Sequence, residues 1–178
     1  MPPPRSITTA VADGAQSAVF FVNEDNNIVI YRSQELFERP KAQGGPKYVE
    51  EFVYPVGVDK RKSPPLSAGG KDLAAISYYD DVGQQISTRL YYVDTNNILS
   101  EYCKDGSQGQ WYDGALNNKR VEVLPGTPLA AGEEFRTEPG TNLDIKQLKV
   151  YYFGKNERAN VAWATINKGD WQVNKEIQ

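Results

Sequence analysis

The chain contains no histidine. That removes His-dependent nucleophilic triads and the commonest zinc sites together. It has one cysteine, Cys103, which permits no internal disulfide, and with no imidazole to activate it the thiol reads as a packed structural group. A basic excess is also lacking: 20 Lys and Arg stand against 23 Asp and Glu, for a net charge of -3 and a pI near 5.1. No general nucleic-acid binding is expected, and the short basic run "DKRKS" (residues 59–63) reads as a solvated loop. No apolar stretch is long enough to span a bilayer, and "MPPPRSITTAVADG" lacks the features of a secretory signal, so a cytoplasmic protein with no membrane partner is expected. Gly-rich phosphate loops and metal-ligand clusters are missing too, so neither a cofactor nor a metal is expected. No segment reads as a long amphipathic helix, although "SQELFERP" (residues 33–40) fits one short turn.

What the chain does have is aromatic residues and repetition. Eleven Tyr, six Phe and three Trp suit a β-rich protein of 178 residues. "SAVFFVNEDNNIVIYRS", "TRLYYVDTNNILSEYCKDG" and "LKVYYFGKNERANVAWATINKGD" each place paired aromatics in an apolar run before a polar turn and a second apolar run, a β-hairpin signature. "RSITTAVAD", "DLAAISYYD" and "GTPLAAGEEF" precede the three hairpins, and "PKYVEEFVYPV", "GQWYDGAL" and "GDWQVNKEI" follow them. Four strands in each of three repeats predict an all-β chain of β-propeller blades: a single domain, 1–178, with repeats at roughly 5–66, 67–123 and 124–178. Propellers typically close with about 4–8 blades. Three blades therefore predict a head-to-tail homodimer of six.

The stretch "TRLYYVDTNNILSEYCKDGSQGQWYDGAL" (residues 88–116) carries Arg89, Glu101 and Trp111 on three consecutive strand-like runs. A guanidinium donates hydrogen bonds, a carboxylate accepts them, and an aromatic face covers an apolar patch, the chemistry needed to grip a sugar. The alternative is a cross-strand ion pair with Trp111 in the core. Counted from the paired aromatics, the arginine position holds Ala18, Arg89 and Lys149, and the glutamate position is read as Ile30, Glu101 and Trp163. The closing aromatic is Trp111 in the second repeat and Trp171 in the third, with Tyr48 or Phe52 in the first. Only the second repeat keeps the whole set. The adjacent acids Glu50–Glu51, Asp80–Asp81 and Glu133–Glu134 do not make catalytic dyads, because neighbours on a strand point to opposite faces.

"TRLYYVDTNN", "LSEY", "KDG", "QWYDG" and "GTPLAA" together resemble the repeats of the fungal fucose-specific lectins. The resemblance covers most of residues 72–178 and, more weakly, 5–31. It implies a six-bladed propeller with sugar sites between neighbouring blades, and relatives with fewer blades per chain that assemble into a full ring. It also implies a lectin whose retained pocket uses Arg89, Tyr91, Glu101 and Trp111, with a fucosylated glycan as partner. Lys149, Trp163 and Trp171 hold the equivalent ligand-binding positions of the third repeat, where Trp163 makes the cleft apolar and suited to an apolar small molecule instead of a sugar. A second reading keeps the scaffold but makes it an enzyme of secondary metabolism. In it an apolar aromatic pocket aligns a small molecule for cyclisation or cycloaddition while Arg89 or Lys149 polarises a carbonyl. A third is a protein-interaction propeller using "RPKAQGGPK" (residues 39–47) as a contact loop.

Overall fold

Along β2 (Ala18–Val22), Ala18, Phe20 and Val22 are buried while Val19 and Phe21 are half-buried. This alternation gives a strand one face for a core and one for its other side. In the computed structural model, which describes residues 6–10, 17–33, 48–53, 66, 72–106, 109–137, 140 and 144–177, β2 joins β1 (Ile7–Ala10), β3 (Ile28–Ser33) and β4 (Tyr48–Phe52) in an antiparallel sheet. A second sheet holds β5 (Leu73–Asp80), β6 (Gln85–Val93), β7 (Ile98–Asp105) and β8 (Tyr112–Asp113), with β9 (Val121–Glu122) also pairing with β7. The third holds β10 (Ala130–Thr137), β11 (Asp144–Phe153), β12 (Ala159–Thr165) and β13 (Gln172–Glu176). Each sheet is a four-stranded path in chain order, the blade pattern expected from the repeats. The basic run at 59–63, the loop at 39–47 and the turn at 34–40 lie outside the described residues.

The same turn closes the middle hairpin of every blade. Asn23 and Asp94 each accept backbone N–H bonds, at 2.8–3.1 Å, from the residues two and four positions on. The fourth turn residue is left-handed in all three blades: Asn26, Asn97 and Glu157 have φ of 62°, 58° and 60°. Asparagine tolerates that region well, so the Asn-rich turns of the first two repeats carry their own conformational reason.

The second blade departs from expectation at its outer strand. "GQWYDGAL" is one strand in the sequence reading, but β8 is two residues long and is followed by a 3-10 turn, Ala115–Lys119. Asn117 replaces the missing strand by bonding both backbone groups of Glu101, accepting from its N–H at 2.6 Å and donating to its C=O at 3.1 Å.

Two cores lie between the blades. Phe20, Ile30, Leu90, Tyr102 and Trp111 pack between the first and second, and Tyr91, Leu99, Val150, Tyr152 and Trp171 between the second and third. The middle sheet therefore shows one face to the blade before it and the other to the blade after it. Along β6, Leu90 and Tyr92 face backward, and Arg89 and Tyr91 face forward.

Candidate ligand site between the second and third blades

The period of two along β6 sends Ser87, Arg89 and Tyr91 together to the face that meets the third blade. Across the hairpin, Arg89 opposes Cys103 and Tyr91 opposes Glu101. Arg89 and Glu101 are thus diagonal neighbours on one face. They form no ion pair with each other; Arg89 Nη1 instead donates to Asp105 Oδ1 at 2.8 Å and to the Thr88 carbonyl at 3.1 Å. The guanidinium also lies 5.3 Å from the Tyr78 ring centroid, within cation–π range.

Asp105 holds this arginine and is itself held, accepting a hydrogen bond from the Tyr112 hydroxyl. Burial works against its charge, but the Tyr112 and Arg89 contacts outweigh burial and keep the carboxyl below its usual range. Glu101 is the opposite case. It is almost fully buried, and desolvation pushes its carboxyl up against the opposing pull of the Leu116 N–H and the Arg89 charge. Its Oε2 accepts from Leu116 N at 3.2 Å. A Cβ at Gly114 would fall on that carboxylate, so the close approach requires glycine there.

Two hydroxyls complete the face. Ser87 Oγ and Tyr91 Oη are buried without a well-formed hydrogen bond from the protein, and they bracket Arg89 on one strand. Trp171 closes the third-blade side, edge-on to Tyr91 with centroids 6.0 Å apart at 82°. One guanidinium, two carboxylates, spare hydroxyls and aromatic rings are the equipment for a polyhydroxylated ligand. Cys103 sits among them, but burial pushes its thiol up, away from nucleophilic use.

Of the residues singled out in the sequence, Arg89, Tyr91, Glu101 and Trp171 come together. Trp111 does not: it faces backward into the first interblade core, edge-on to Phe20 at 6.2 Å. It is adjacent in sequence to the forward-facing Tyr112, and adjacent strand residues point apart. Lys149 and Trp163 lie on the outer face of the third blade, directly opposite one another, with Lys149 paired to Glu134. The register also corrects the third glutamate position. Tyr151 opposes Val161 as Tyr91 opposes Glu101, so Val161 and not Trp163 holds that place. The sequence reading missed Ser87, Tyr78, Asp105 and Tyr112. Strict alternation from Arg89 and Cys103 selects Ser87 and Asp105, and the cross-strand register adds the two tyrosines.

At the other end of the same blade pair is a groove of about 500 Å³ lined by Arg120, Glu122, Gly154, Lys155, Asn156, Asn160 and Glu176. Its charges largely neutralise one another: Lys155 pairs with Glu122 at 2.6 Å, and Glu176 with Arg158 at 2.8 Å. It shares no residue with the Arg89 face. Among the described residues, no group of three or more His, Cys, Asp or Glu is placed to hold a metal ion.

No protein-family profile matches the chain. A curated fucose-specific lectin of Aleuria aurantia is 30% identical over 166 residues, covering 93% of this chain but 45% of the lectin. The chain thus spans less than half the length of that relative. Among solved structures, the six-bladed β-propeller lectin of Aleuria aurantia matches with a TM-score of 0.62 at 22% identity, over 97% of this chain and 48% of that one. A fucose lectin from Kordia zhangzhouensis, solved with methyl-fucoside, matches with a TM-score of 0.60 at 16% identity, over 97% and 99% of the two chains.

Proposed function

We propose that this chain, a relative of the fungal fucose-specific lectins by sequence and built of their type of propeller blade, is a carbohydrate-binding protein with a fucose-type site between its second and third blades. One observation carries the reading: Arg89 stands beside Glu101, with the buried hydroxyls of Ser87 and Tyr91 on the same strand face and neither in a well-formed hydrogen bond. Buried polar groups ordinarily find partners, and a sugar's vicinal hydroxyls would supply them. Both Arg89 contacts use Nη1, which leaves the rest of the fork to donate to a ligand. The named relatives are fucose lectins, one of them solved with methyl-fucoside, and this supports fucose as the first sugar to test.

The proposal includes assembly. The outer face of the third blade presents Tyr151, Val161 and Trp163, and that of the first presents Ile7, Val19, Phe21 and Tyr31. In the sequence of faces around a ring these two are the next to meet, so a second copy placed head to tail would close six blades. A reducing compartment such as the cytosol suits the single buried thiol, Cys103. No specific observation favours the cyclase reading.

Calorimetric titration with methyl α-L-fucoside tests the site. Saturable binding is expected, and Arg89→Ala should remove it. A wild-type protein that is folded but gives no binding signal with the fucoside or on a fucosylated glycan array would end the proposal.

A further inference from the structure

The seam between the first and second blades carries its charges differently from the Arg89 face. Position for position, Ala18 replaces Arg89 and Ile30 replaces Glu101, so the forward strand loses its cation and the carboxylate disappears. The cation reappears on the partner strand, because Ala18 opposes Arg32 and both face the second blade. The facing wall then adds another. Lys104 lies ten residues after the turn residue Asp94; the same count from Gly154 gives Ala164, the small residue that the third blade presents to the Arg89 cleft.

Lys104 is only 9% exposed, and among the described residues its ammonium makes no hydrogen bond or ion pair. The nearby carboxylate is that of Glu51, which is 43% exposed and sits 3.9 Å from Arg32. Burial first, and the Arg32 charge second, pull the lysine below its usual range while Glu51 pulls the other way. Beside Lys104, directly across the strand pair, is Thr88, whose hydroxyl shares a 2.8 Å hydrogen bond with Ser77 on the same face. Two cations, the Glu51 carboxylate shared between them and a hydroxyl pair line this seam, with the exposed Asp113 on the same face two strand positions away. Lys104 makes no direct ion pair and shares the Glu51 charge with Arg32, which leaves its ammonium free to take a further anion.

We infer that the cleft between the first and second blades binds an oxyanion, the sulfate or carboxylate of an acidic saccharide, through Lys104 and Arg32. The saccharide part rests on the lectin reading; the oxyanion part does not.

The test follows Lys104 by NMR of the ¹⁵N-labelled side chain, and the melting temperature, during titration with sodium sulfate or methyl β-D-glucuronide. Sodium chloride holds the ionic strength constant. A saturable Lys104 response and a rise in melting temperature with either probe are expected, and the probe that acts tells sulfate from carboxylate. Lys104→Met should weaken that binding about ten-fold or more while leaving methyl α-L-fucoside affinity unchanged. Should the variant not fold, the wild-type resonance decides. No Lys104 response to either probe, or a variant that binds as the wild type does, overturns the inference. Loss of fucoside binding with the oxyanion response intact would remove the lectin reading and leave this site standing.

Discussion

Gly114 has an extended backbone, φ -81° and ψ 162°, that any residue adopts, so its importance is steric rather than conformational. The space a Cβ would need is filled by the Glu101 carboxylate. Gly114→Ala is therefore expected to cost about 1–3 kcal/mol, the usual range for overpacking, and to weaken fucoside binding by displacing Glu101; urea denaturation and calorimetry measure the two effects. The two carboxyls of the site should titrate with opposite sign. Asp105 is held low, so its contribution to stability is present above the ordinary carboxylate range and is lost as pH falls through and below that range. Glu101 is held high by burial, so stability falls as pH rises from its unfolded value through its raised one. Urea midpoints measured against pH should show Asp105→Asn removing the acid-side loss and Glu101→Gln removing the loss on the other side. If neither substitution alters the pH profile, the electrostatic account of the site is wrong.

The hairpin turn is the element that makes the repeats comparable. Asn97 sits at φ 58° with Asp94 capping two backbone N–H groups. Asn97→Gly, which keeps the left-handed backbone accessible, should cost less than Asn97→Val, for which about 1–2 kcal/mol is expected, the penalty for a branched side chain in the left-handed region. Thermal melts of both variants check this, and equal losses would show that the turn is not held in that conformation. The turn also explains what the sequence revealed and what it hid. Strands, hairpins and the blade count were legible because apolar pairs and Asn-rich turns mark them locally. The side of the sheet was not always read correctly, as with Trp111, one residue from the forward-facing Tyr112. In the third blade a conspicuous tryptophan drew the glutamate position to Trp163, although counting from the turn gives Val161. The Asp105–Tyr112 support for Arg89 was invisible for a different reason: the carboxylate and phenol come from strands joined across a register that only pairing fixes.

At the scale of the whole molecule, the unanswered demand is for something to cover the two outer faces. Tyr151 and Phe153 are 39% and 37% exposed on the last blade, and Ile7 is 65% exposed on the first. Phe21 and Tyr31 stack at 5.5 Å, nearly parallel, giving the first blade a flat aromatic outer face. Faces of this kind inside the chain are the ones that form the two interblade cores, and left uncovered they favour association. A second copy offers each face its counterpart, which predicts a particle of twice the 19.9 kDa chain mass by analytical ultracentrifugation. Tyr151→Glu tests the geometry because Tyr151 belongs to neither interblade core, so the blade stack itself should survive. A carboxylate buried there without a partner should cost about 3 kcal/mol or more, weakening association over a hundred-fold. The variant should then sediment at the single-chain mass with an unchanged far-ultraviolet circular dichroism spectrum. A wild type that already sediments at that mass would refute closure by a second copy, while leaving the Arg89 cleft, which lies wholly within one chain, to be judged by its own titration.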